Sequence, residues 1–183
     1  MKEVTDLLND PLKRREGLTI AKTLDNLTDE LTNDLILCGL KENDPSFNGE
    51  YIKLCVKHKG TKNIGDLLIK YFVNGSMNER IGSLKALYHV SEEPLILDES
   101  SNRFIENPKC NEHKTSYKER EKILINEYDK CGNIILKFFF QWAIPSKSGD
   151  FFKGIPETYE DLEALIDEDS QLKEQLTEYT EWN

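Results

Sequence analysis

The stretch IGDLLIKYFVNGSMNERIGSLKALYHV, residues 64–90, decides the fold class. Ile64, Leu67, Leu68, Tyr71 and Phe72 recur at steps that place them on one face of an amphipathic helix. Asn74-Gly75 closes that run with turn chemistry. Ser76 followed by Glu79 is an S-x-x-E capping box, in which each side chain satisfies a backbone N–H that the next helix leaves open. Ile81, Leu84, Leu87 and Tyr88 form the stripe of that next helix. Two helices of similar length across so short a turn are expected to pack as an antiparallel hairpin. The hairpin has the size of a helical-repeat unit, but no fixed period recurs elsewhere, so no solenoid is implied.

Helical periodicity continues on both sides. Towards the N-terminus, Asp10 before Pro11 reads as a helix start, because proline at the first helical position loses no hydrogen bond. Leu12, Ile20, Leu24, Leu27, Leu31, Leu35 and Cys38 follow, with Gly17 a possible bend and Gly39 a stop. ENDPSFNG, residues 42–49, reads as a loop. It imitates a calcium loop but places Cys55 where the bidentate carboxylate belongs, so that reading is rejected. Tyr51, Leu54, Cys55 and His58 then form a stripe closed by Lys57-His58-Lys59-Gly60, the cation-then-glycine ending that a helix C-terminus favours. Towards the C-terminus, residues 91–115 break the pattern, with 94–97 either a short strand or a packed loop. Pro108 is read as a helix breaker, and Ser116 with Glu119 as a second capping box. Ile134–Ile144 is apolar on nearly every side apart from Lys137 and Gln141, as a central buried helix would be; a buried strand is the alternative. Pro156 and Thr158 open the acidic end, with Ser170 as the cap of a last helix bearing Leu172, Leu176 and Tyr179. The expected fold is therefore all-α, a single-domain irregular helical bundle spanning 1–183, with the hairpin at 64–90 and an acidic amphipathic segment at 157–183.

Charge is distributed unevenly along the 183 residues. The net charge is −10, yet residues 157–183 hold ten acids against Lys173, a net of −9, and the remaining 24 acids and 23 bases leave −1. A duplex-binding surface needs clustered cations to displace counterions, so direct nucleic-acid binding is not expected. No apolar run reaches the length of about 20 residues that spans a bilayer. The first ten residues lack the apolar core of a secretory signal, which predicts a cytoplasmic protein with reduced thiols. Cys38 and Cys55 lie on apolar stripes, where a thiol behaves as a small hydrophobe.

Two chemical constellations compete for the function. Cys55-x-x-His58 and Cys110-x-x-His113 repeat a spacing in which thiolate and imidazole share a helix face, and two such pairs could close a tetrahedral zinc site. Against it, the interval between the pairs matches no familiar zinc module, and helix-end and core roles suffice for His58 and Cys55. GTKNIG at 60–65 lacks the lysine placement of a phosphate loop, and no nucleophile elbow or H-E-x-x-H is present. The acidic segment carries the preferred reading. Glu160, Asp161, Asp167, Glu168, Asp169 and Glu174, with Trp182 as an aromatic anchor, predict a surface that attracts a basic protein partner. The plain alternative is a solubilising face. The expectation is a non-enzymatic protein-binding module, a small acidic inhibitor of the kind that immunity proteins and antitoxins represent. A zinc-binding protein or metal-dependent enzyme, and a scaffold subunit of a larger assembly, are the alternatives.

Overall fold

A computed structural model describes residues 2–42, 45–90, 95–98, 103–106, 108–147 and 149–174; the side chains of 45–46, 95–98, 104, 106, 108–113 and 115 are not included. The fold is all-α apart from one small hairpin of strands. In chain order the helices are α1 (Lys2–Asn9), α2 (Arg14–Ala21), α3 (Asp29–Lys41), α4 (Pro45–Lys59), α5 (Thr61–Asn74), α6 (Met77–Leu87), α7 (Pro108–Lys130), α8 (Ile134–Ala143) and α9 (Tyr159–Glu168). Between α6 and α7, β1 (Leu95–Asp98) and β2 (Arg103–Glu106) pair antiparallel, Leu95 opposite Glu106. The first strand falls on the segment expected to be extended. Its partner has no comparable apolar run, so the sequence did not suggest it.

The hairpin of α5 and α6 forms as its stripes require. Ser76 Oγ accepts from Glu79 N–H, and the Glu79 carboxylate accepts from Ser76 N–H, completing the capping box. The two helices pack on each other across Gly75-Ser76. Their apolar side chains feed two separate cores. Ile64, Leu68 and Ala86 join a cluster with α1–α4, including Leu8, Leu31, Leu35 and Ile52. Ile69, Phe72, Ile81 and Leu84 join another with α7–α9, including Leu124, Phe138, Phe140 and Leu162.

Glycine lets α6 reach α3. A Cβ at Gly82 would lie 2.4 Å from the Leu40 backbone oxygen, well inside contact distance. One turn later, buried Lys85 donates from Nζ to the Glu42 carbonyl at 3.0 Å. That places a cation on carbonyls at the negative end of α3.

Several element boundaries differ from the expected ones, each for a local reason. Asp10-Pro11 does not start a helix: Asp10 Oδ1 accepts Leu12 N–H at 3.0 Å, an Asx turn separating α1 from α2, and Leu12 is exposed. Gly17 lies inside α2, packed on Leu8. Gly39 is buried within α3, which runs on to Lys41. ENDPSFNG is not all loop, because α4 begins at Pro45, where proline costs nothing. Pro108 likewise begins α7 rather than ending a helix, so Ser116 lies inside it and donates to Asp66 Oδ1 at 3.3 Å. Ile134–Ala143 is a helix, not a strand. Its two polar interruptions have partners: Lys137 Nζ lies 5.1 Å from the Tyr128 ring centroid, and Gln141 Nε2 donates to the Pro156 carbonyl at 2.8 Å.

If α6 depends on the close approach at Gly82, Gly82→Ala should cost about 1–3 kcal/mol, the range for overpacking a tight contact. Gly132, whose Cβ would meet nothing within 4 Å, is the control. Gly132→Ala should stay within about 0.5 kcal/mol of the parent in urea unfolding.

Candidate functional site

The acidic segment is built on α8. Thr158 caps α9 by accepting Asp161 N–H, and the Asp161 carboxylate accepts Thr158 N–H in return. Leu162 and Ile166, one turn apart, are buried in the core that α8 dominates. Tyr159 packs its ring 5.1 Å from Phe138 and 5.5 Å from Trp142, both edge-on. Burial pushes its phenol up to about 12. Tyr159 and Leu165 each keep 39% of their surface exposed, leaving apolar area among the carboxylates.

The named acids divide into two groups. Asp161, Asp167 and Asp169 have local roles. Asp161 completes the capping box, Asp167 pairs with Lys173 Nζ at 3.1 Å, and Asp169 Oδ1 accepts the N–H groups of Gln171 and Leu172. Asp169 is therefore the cap of the last turn, in place of Ser170, because its carboxylate reaches both open N–H groups. Glu160, Glu168 and Glu174 are exposed, as is Glu163, which was not singled out. Among the described residues, no ion pair joins these acids to a cation of the body; Asp167–Lys173 lies within the segment. Trp182, Leu176 and Tyr179 lie outside the described residues.

The two CxxH pairs lie on different helices, α4 and α7. Cys55 is wholly buried, its Sγ 3.8 Å from the Thr32 carbonyl, and desolvation pushes its thiol up to about 12. His58 is half-buried, and its Nε2 has no hydrogen-bond partner among the described residues. The side chains of Cys110 and His113 lie outside the described residues. No cluster of three or more His, Cys, Asp or Glu suited to a metal occurs among the residues described. Cys38 is also buried, donating to the Leu8 carbonyl at 3.3 Å, and burial raises it to about 11.

Sequence reasoning missed a second feature, a cleft of about 920 Å³ between α4, the end of α6, α7 and α8. Lys53 and Lys57 approach it from α4, and Lys114, Lys118 and Arg120 from α7. These cations are separated by more than fifty residues of chain, so no local motif unites them. The i,i+4 spacing of Lys114 and Lys118 was the available hint. No helix among the described residues is long and apolar enough to cross a membrane. Compared with protein-family models, curated proteins and solved structures, the chain matches none.

The buried thiols set a pH dependence. An unfolded chain releases a thiol proton near 9.0, whereas the fold holds those of Cys38 and Cys55 to about 11 and about 12. Between these values the folded state carries more protons, so stability is complete below pH 9 and falls as pH rises through that window. Urea midpoints should fall progressively between pH 9 and 11. At pH 8 a thiol reagent should leave both cysteines unlabelled in the native chain and label all four cysteines in denaturant.

Proposed function

We propose that the chain is a non-enzymatic protein-binding module that presents its acidic end to a basic partner, in the manner of a small acidic inhibitor. The observation that carries this reading is the orientation of α9. Leu162 and Ile166 fasten the helix to the body, and the exposed carboxylates have no counter-ion in the body among the described residues.

Residues 157–174 hold eight acids against Lys173, a net of −7 on a short surface segment. A field of that kind raises the encounter rate with a cationic protein and selects against acidic ones. Half-exposed Tyr159 and Leu165 supply apolar contact area within it, the mixture from which interface anchors are drawn. Asp161 and Asp169 hold the helix ends in shape, so Glu160, Glu163, Glu168 and Glu174 are the residues that face the partner. Trp182 extends the same acidic stretch in sequence.

The test begins with capture of partners at low salt, identified by mass spectrometry, followed by affinity measurement on the purified pair. A basic partner is expected, with Kd weakening about tenfold or more between about 50 and 300 mM salt. Glu160→Lys with Glu163→Lys and Glu168→Lys should weaken it by a further tenfold or so without changing the thermal midpoint by more than a few degrees. Binding that ignores both salt and the triple reversal would refute the proposal.

A further inference from the structure

The cleft between α4 and α7 is a cationic site in an acidic chain. Lys53, Lys57, Lys114 and Lys118 are exposed along it, and none forms an ion pair among the described residues. Among the described residues, the acid in its lining is Glu121, which accepts the Ser146 hydroxyl.

Arg120 sharpens the case. It is 6% exposed, and its Nη2 has no hydrogen-bond partner among the described residues. Its Nη1 donates to the Thr61 carbonyl at 3.4 Å, and its guanidinium carbon lies 4.6 Å from the Tyr117 ring centroid. Tyr117 also hydrogen-bonds the guanidinium, while Asp66, the acid whose field reaches it, is paired with Lys62 at 2.9 Å and accepts Ser116. Buried charges are ordinarily paired, because removing an ion from water costs several kcal/mol that only a counter-charge returns. The fold nevertheless makes room for this one. A Cβ at Gly65, inside α5, would come within 1.2 Å of Arg120 Nη1. Glycine at a helix interior costs roughly 1 kcal/mol relative to alanine, so the guanidinium is accommodated at the expense of helix stability.

The remaining walls are aromatic and aliphatic. Tyr88 is 65% exposed beside the cleft, Trp142 lines it from α8, and Val56, Leu87 and Ile144 complete an apolar side. A volume of about 920 Å³ is in the range of small-molecule sites. Cations and planar side chains in one lining suit a ligand with an anionic end and a flat ring. Lysine and arginine take phosphate oxygens, while tyrosine and tryptophan stack on a base. A polynucleotide fits less well, because it must also pass a surface carrying a net charge of −10.

We propose that this cleft binds a small phosphorylated aromatic ligand, of the nucleoside-diphosphate class, with Lys57, Lys118 and Arg120 toward the phosphates and Tyr88 or Trp142 against the base. The site meets the acidic end through Trp142, whose ring also packs on Tyr159.

Calorimetric titration of the full chain with ADP, GDP and UDP tests it, with adenosine, inorganic pyrophosphate, a ten-nucleotide thymidine strand and a peptide of residues 175–183 as comparison probes. At least one diphosphate should bind one-to-one with Kd below about 1 mM, and adenosine and pyrophosphate should each be about tenfold weaker or worse. Lys57→Glu with Lys118→Glu, both exposed, should weaken the diphosphate about tenfold, whereas Glu160→Lys with Glu168→Lys should not weaken it. Arg120→Gln should weaken it further; if that variant does not fold, the lysine pair alone decides. No saturable binding of any diphosphate at about 1 mM overturns the proposal. So does pyrophosphate binding as tightly as the diphosphates, which would leave the rings without a role. Tighter binding of the thymidine strand or of the acidic peptide would also overturn it, by assigning the cleft to a polymer.

Discussion

The structure depends on how closely α6 sits against the end of α3. Gly82 removes the side chain that would strike the Leu40 backbone, and Lys85 brings a buried ammonium onto the Glu42 carbonyl. Both contacts join the same two helix segments, so a shift of α6 away from α3 would stretch the hydrogen bond that buried Lys85 makes to the Glu42 carbonyl. Once α6 is placed, α5 follows through the capped turn at Ser76, and the pair presents opposite sides to two cores. Phe72, edge-on to Phe140 at 5.4 Å, carries the second core onto α8.

That order explains why both candidate surfaces lie where they do. The helix α8 is apolar almost all round because it is packed by α6 and α7 and then covered by α9. The acidic segment therefore rests on a platform fixed by the hairpin. The cationic cleft opens where α8 and the last turn of α6 leave α4 and α7 apart. One molecule thus carries opposite charges on separate elements. Its overall net charge conceals the positive cluster completely.

The helices were legible where burial is periodic, above all at 64–90, whereas the apolar run at 134–144 left a buried strand as the alternative. Thr158 was readable as a start because its cap is local. Boundaries governed by proline were misread. Pro45 and Pro108 look like breakers in isolation, yet both occupy the first turn, where a missing N–H is harmless. Ser116-x-x-Glu119 imitated a capping box, and only the tertiary partner Asp66 reveals another use for that hydroxyl. The acidic end was visible as a run of residues. The division of labour within it was not, since a carboxylate that caps a helix and one that faces solvent look alike in one dimension. The cleft was invisible for a stronger reason: its cations are brought to one cleft only because α5 packs on both α4 and α7, and Arg120 is intelligible only with Gly65 beneath it.

The functional account requires that α9 be held to α8 by its apolar side, with its carboxylates directed outward. Nuclear Overhauser contacts in the isotope-labelled full chain measure this directly. The account predicts strong contacts between the Tyr159 and Trp142 rings, whose centroids lie 5.5 Å apart, and dispersed methyl shifts for buried Leu162 and Ile166. Random-coil methyl shifts and no contact between those rings would show that the acidic segment does not dock, and would contradict the account.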